Sequence, residues 1–123
     1  LRPEHRFSKD LTKALEAYGC LVLSIETGPT NRGVPDLFIA KQGRSLWIEL
    51  KVVSPKQEKE PRTAIQIKRQ SEMIAHGVRV LNAHDVRDAK DFNIEYRLLG
   101  STPHSNFLST YGLADAILSV LAE

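Results

Sequence analysis

The sequence holds one cysteine, Cys20, among 123 residues. A lone thiol can form neither an internal disulfide nor a cysteine-based zinc site, and it suits a reducing cytoplasm. No uninterrupted apolar run approaches the roughly 18 residues that a membrane span needs. The charged first ten residues have no apolar core of the kind that marks a secretory signal. Internal repeats and low-complexity stretches are missing, which excludes solenoids and fibrous arrays. Charge of one sign is also scarce. The formal net charge is +2, and a balance that small does not by itself imply a nucleic-acid partner. The four histidines, His5, His76, His84 and His104, have no spacing that suggests a zinc site.

What is present is the make-up of one globular domain. Hydrophobic residues are 41% and charged residues 26% of the chain, and 123 residues are enough for a single core. Residues 3–18 read as a helix, with proline in the first turn, Gly19 as the stop, and Phe7, Leu11, Ala14, Leu15 and Tyr18 at helical spacing. An aliphatic strand over 21–26 follows, then a loop over 27–33 rich in turn formers. Residues 36–40 and 45–53 read as two strands joined by a hairpin-like turn at Lys41-Gln42-Gly43-Arg44.

In the later strand Leu46, Ile48 and Leu50 alternate with Trp47, Glu49 and Lys51. A charged loop spans 54–62, and Thr63-Ala64-Ile65-Gln66 is a capping box that opens a helix to about His76. A strand is expected over 78–82, a short helix over 85–91, a strand over 94–99, a break over 100–106 and an amphipathic helix over 113–121. That order argues for an α/β domain with a mixed central sheet and helices on its faces.

The informative chemistry lies in Gly33-Val34-Pro35-Asp36 and Ile48-Glu49-Leu50-Lys51. Period-two geometry puts Glu49 and Lys51 on one face of their strand, and the turn near Gly43 can bring Asp36 alongside. Two carboxylates beside an ammonium suit a hard cation such as Mg²⁺, which prefers oxygen ligands and keeps several waters. The Leu50 carbonyl is a further oxygen donor in reach. The competing reading is a solvated surface pair, which is what an exposed Glu-x-Lys usually is. Trp47 on the same face as the two charges argues for a partly enclosed site. Lys51, Lys56, Lys59, Arg62, Lys68 and Arg69 make the following stretch locally basic, although a solvated loop and helix face would look the same.

These motifs resemble the PD-(D/E)xK nuclease superfamily. Within it the chain is most similar to the VRR-type (virus-type replication-repair) nucleases, over roughly residues 3–82, and it also resembles small archaeal-type Holliday-junction resolvases. The resemblance implies a restriction-endonuclease-like mixed sheet flanked by helices. It implies a single nuclease domain over 1–123, with its core over about 3–82 and a C-terminal extension over 83–123. Asp36 and Glu49 would bind Mg²⁺ or Mn²⁺, and Lys51 would be the catalytic lysine.

Such families often add an acid from the first helix. Glu4 is the candidate, since it falls near the direction of Phe7, Leu11 and Leu15, whereas Asp10 lies to one side and Glu16 nearly opposite; a plain helix-dipole role for Glu4 is the alternative. The family's glutamine maps onto Gln66, with Gln70 one turn later as its substitute. Arg32, Lys68 and Arg69, with Gln70, are candidates for contacts to nucleic acid, of the kind that give affinity rather than sequence readout.

The expected activity is metal-dependent endonucleolytic cleavage of DNA, of a branched kind such as a junction, flap or fork, because no separate base-reading element is visible. A homodimer is consistent with paired cutting, with the 113–121 helix either as the interface or packed on its own domain. The alternatives are an RNA-directed nuclease and a non-catalytic nucleic-acid-binding module that keeps the fold.

Overall fold

The computed structural model describes residues 2–26, 32–100 and 105–123. The loop expected over 27–33 and the break over 100–106 fall largely outside these residues, as does His104. The elements are α1 (Pro3–Ala17), β1 (Leu21–Ser24), β2 (Leu37–Lys41), β3 (Arg44–Val53), α2 (Ala64–Ala75), β4 (Val80–Arg87), β5 (Asn93–Leu99), β6 (Ser105–Phe107) and α3 (Thr110–Leu121).

The strands form one sheet in sequence order. Only β3 and β4 are parallel, with α2 as the crossover between them; every other neighbouring pair is antiparallel. This is the mixed sheet that the sequence order implies. The β2–β3 hairpin closes on Gln42 and Gly43, both in the left-handed region with φ of 52° and 79°. Two such residues make a turn whose twist matches the flanking strands.

Alternation along the strands sorts the two faces. Leu37 and Ile39 of β2, Leu46, Ile48 and Leu50 of β3, and Leu81 and Ala83 of β4 join the core that α1 and α3 cover. The helices contribute Phe7, Leu11, Ala14 and Leu15 from α1, and Leu113, Ala114, Ile117 and Leu121 from α3. The apolar stripe of α3 is therefore consumed inside its own domain. The opposite face is more thinly covered. Among α2 residues only Gln70 is fully buried, and Ile65 and Ile74 remain exposed.

Helix C-termini are capped by cations from the sheet side. Lys41 donates to the Tyr18 carbonyl at 2.7 Å. Arg79 donates to the Val120 and Leu121 carbonyls at 2.9 and 3.1 Å, and Arg44 donates to that of Ala122. Positive charge at the carbonyl end of a helix favours its dipole.

Two expectations need correction. Residues 85–91 do not form a helix: β4 continues to Arg87, well past the strand end expected near Asn82. The polar run misleads because Asp85 and Arg87 stand two apart on the strand, share a face and neutralise each other at 2.9 Å. Asp85 also accepts from Asn93 at 2.7 Å. The break expected over 100–106 in turn contains the start of β6, which is too short to show any period.

Removing one partner of a buried pair leaves a stranded charge. Arg87→Leu should therefore cost about 3–5 kcal/mol of stability. Asp85→Asn combined with Arg87→Leu should recover most of that loss. Urea denaturation of both variants checks this, and equal losses would show that the pair does not carry the effect.

Candidate active site

The hairpin register builds the site. Leu37 pairs with Ile48, so Asp36, one residue earlier, is set against Glu49. The two acids then share a face, opposite the core, with Lys51 on the same side. Asp36 is anchored from behind: its Oδ2 accepts from the Leu50 backbone amide at 2.8 Å. Its own carbonyl accepts from the Ile25 amide at 2.8 Å, which ties β1 to the same point.

Glu49 is only 1% exposed. Its Oε1 accepts from Gln66 Nε2 at 3.3 Å, while its Oε2 is buried with no hydrogen-bond partner. Burial pushes the Glu49 carboxyl up to about 9; the neighbouring Asp36 carboxylate adds to the rise, and Lys51 and Arg62 oppose it. A carboxyl in this condition is unfavourable as an anion unless a cation arrives. Lys51 is half-buried and makes no hydrogen bond or ion pair among the described residues.

Gln66 does two things at once. Its Oε1 accepts from the Thr63 amide at 2.9 Å while its own amide N–H donates to the Thr63 hydroxyl at 3.2 Å, completing the capping box. Its amide nitrogen meanwhile holds Glu49. The cap and the site are one arrangement.

Gly33 explains why the loop before Asp36 needs a glycine. Its φ is +80°, and a Cβ there would lie 2.6 Å from the Ile65 carbonyl oxygen on α2. Only a bare backbone allows that approach.

An open cleft of about 900 Å³ is lined by Asp36, Glu49, Leu50, Lys51 and Gln66, and it reaches Glu4 on α1. Glu4 is exposed at its rim. The remaining sequence candidates lie elsewhere. Arg32 and Lys68 are exposed. Arg69 pairs with Glu72 at 3.0 Å. Gln70 is buried; it exchanges amide hydrogen bonds with Asn82 at 3.0 and 3.1 Å and accepts from Arg62 at 2.8 Å.

Sequence reasoning did not single out Glu26 or Gln57, which also line the cleft; His5, next to Glu4 in the sequence, lines it too. It also missed Arg62 as a charge acting on Glu49. Glu26 becomes visible only through the bond that sets Ile25 against Asp36, and Arg62 only through the path of its loop.

The donor chemistry fits a hard divalent ion. Asp36 and Glu49 supply carboxylate oxygens, and the unpartnered Glu49 Oε2 is an acceptor in want of a cation. Among the described residues no group of three or more His, Cys, Asp or Glu side chains could hold a metal. The structure sets Asp36 and Glu49 on one sheet face, with Glu4 and Glu26 also on the lining of the cleft.

Comparison with solved structures gives two neighbours. A VRR_NUC domain matches with a TM-score of 0.51 and 26% identity, over 71% of this chain and 86% of that one. Hjc, a Holliday junction resolvase from the archaeal hyperthermophile Archaeoglobus fulgidus, matches with a TM-score of 0.56 and 18% identity, over 91% of this chain and 98% of that one. The chain has the PD-(D/E)xK nuclease fold. No family profile and no curated protein matches the sequence. Among the described residues of this nuclease-fold domain, no helix is long and apolar enough to cross a membrane.

The upward shift of the Glu49 pKa has a sign that can be measured. The folded state holds a proton that the unfolded chain releases, so the stability this adds is complete below the ordinary value of 4.5 and is lost as pH rises to about 9. In EDTA, the wild-type protein should lose stability across that window relative to Glu49→Gln. Parallel pH profiles from chemical denaturation would contradict the assignment.

Proposed function

We propose that this protein is a Mg²⁺- or Mn²⁺-dependent endonuclease that hydrolyses phosphodiester bonds in structured DNA. One observation carries the reading. Asp36 and a buried, half-satisfied Glu49 face each other across β2 and β3, with Lys51 two residues further along the same strand face. Asp36, Glu49 and the Leu50 carbonyl would hold the ion, with Glu4 at the rim of the same cleft.

When bound, a divalent ion there lowers the pKa of water and offsets charge building up on the phosphate. The chain's own groups do the positioning. The Leu50 amide fixes one Asp36 oxygen, and Asp36 lines the cleft, where its second oxygen would meet the ion. Gln66 holds Glu49 Oε1 and leaves Oε2 free. Lys51 brings a positive ammonium to the cleft wall, where it orients the attacking water and balances the phosphorane-like charge. Arg32, Lys68 and Arg69 are the cations proposed to meet phosphates outside the cleft.

The preference for structured DNA draws on the resolvase named among the structural neighbours. It also draws on the compactness of the chain, which carries no separate base-reading module among the described residues. Paired cuts on a four-way junction need two sites, which a second copy of this chain would supply. The α3 stripe, spent on its own core, is not the contact.

The test is cleavage of a labelled panel of linear duplex, single strand, 5′ flap, fork, four-way junction and RNA, in Mg²⁺, Mn²⁺ or EDTA. Metal-dependent cutting of branched DNA should vanish in Asp36→Asn. Lys51→Ala should keep DNA affinity while cutting slows by about 10²-fold or more. Binding without cutting in any metal, unchanged by Asp36→Asn, would make the protein a non-catalytic module. Preferential cutting of the RNA substrate would redirect the reading to RNA.

A further inference from the structure

The face that carries Asp36 and Glu49 does not end with them. Phe38 pairs with Trp47 in the β2–β3 register, two residues from Asp36 and Glu49 respectively, so both aromatics lie on the acids' face. Their rings meet edge to face, with centroids 5.1 Å apart and planes at 64°. Leu23 pairs with Phe38 on the other side, and Leu21 pairs with Ala40 one rung below. Leu23 is 46% and Leu21 55% exposed. Phe38 and Trp47 are each partly exposed.

The result is an apolar shelf running across β1, β2 and β3, next to the acidic row. A single exposed leucine means little. A continuous shelf with two aromatics, bordering a polar cleft, marks a place where something binds.

We infer that this shelf stacks unpaired nucleobases of the nucleic acid whose phosphate lies at Asp36 and Glu49. The inference rests on the nuclease reading for the position of that phosphate. Two residues along a strand span roughly 6.6–6.8 Å, a distance of the order of one nucleotide of an unstacked strand. A base one or two nucleotides from the scissile phosphate therefore reaches the Phe38–Trp47 pair. Paired bases cannot use it, because their faces are buried in the duplex stack. Unpaired bases can, and stacking on an aromatic ring is tolerant of sequence, at roughly 1–3 kcal/mol per base. The shelf thus gives the site a preference for strands that are single at the point of cleavage, such as the arm of a flap or the open centre of a branch. It needs no base-specific hydrogen bond to do so.

Trp47 is the sole tryptophan of the chain, so its emission reports on this shelf alone. The experiment titrates wild-type protein and Asp36→Asn in EDTA with oligodeoxyuridine, oligouridine and a blunt duplex of equal length. Emission and fluorescence anisotropy of the labelled strand are followed together. Unpaired oligonucleotides should quench Trp47 and the duplex should not; the tighter of the two oligomers names the sugar.

Trp47→Leu and Phe38→Leu, with folding checked by circular dichroism, should weaken the unpaired strand about tenfold and leave duplex affinity unchanged. If either variant fails to fold, quenching in the wild type decides. Binding without quenching, no binding of unpaired strands, or undiminished binding by folded variants would overturn the shelf. A dimer that already shields Trp47 before nucleic acid is added would overturn it too, by assigning the face to a second copy. Because no cleavage is measured, quenching that persists in a protein that never cuts would sink the nuclease and leave the shelf standing. Cutting without quenching would do the reverse.

Discussion

The register between β2 and β3 is the constraint on which the rest depends. Side chains alternate along a strand, so a slip of one residue would exchange the faces. Glu49 and Lys51 would then enter the core, and Leu46, Ile48 and Leu50 would leave it. Two local features forbid the slip. The Gln42-Gly43 turn, with both residues left-handed, fixes the hairpin length from one end. The bond from the Leu50 amide to Asp36 fixes it from the other. Burial of Leu37, Ile39, Leu46 and Ile48 then supplies most of the driving force. The same carboxylate thus locks the strands and forms half of the acidic pair.

The two sides of the sheet are held by different physics. Beneath α1 and α3 lies an apolar core of aliphatic side chains with Phe7 stacked on Tyr96 at 5.5 Å. Under α2 the contacts are largely amide hydrogen bonds. Gln66 reaches Glu49, Gln70 reaches Asn82, and Arg62 brings the β3–α2 loop to Gln70. Such bonds are directional and fail if the groups move apart. The apolar side therefore makes the domain stable, while the polar side sets where α2 stands relative to the acids. Gly33 extends that control, since its bare backbone seats the turn before Asp36 directly on the first turn of α2.

Much of this was legible in the sequence because its signals were local. The alternation of 46–51, the turn at Gln42-Gly43, the capping box at Thr63 and the placing of Asp36, Glu49 and Lys51 all follow from periods of two or from turn chemistry. The hidden parts depend on partners distant in the chain. Asp85 and Arg87 look like loop or helix surface until each is seen to cancel the other within a strand. Gln70 looks like a surface residue available to a ligand until Asn82, on a strand reached through the crossover, takes both ends of its amide. The double use of Gln66 was legible through the family resemblance and not through local pattern: the capping box alone explains its presence, and nothing nearby in sequence shows that its amide also reaches Glu49.

The cations on the helix ends have a consequence for how the molecule meets a polyanion. Of 17 lysines and arginines, Lys41, Arg44 and Arg79 are turned onto carbonyls at the ends of α1 and α3. Arg62, Arg69, Arg87 and Arg97 are matched to carboxylates. Others stay outside these contacts: Arg32, Lys56, Lys59 and Lys68 are exposed, and Lys51 lines the cleft. The charge that can displace ions condensed around a phosphate backbone is therefore only part of the basic complement, and salt screens that part. The rest is engaged in holding the fold, so the grip on a polyanion depends on where the cations stand and not on how many the chain has.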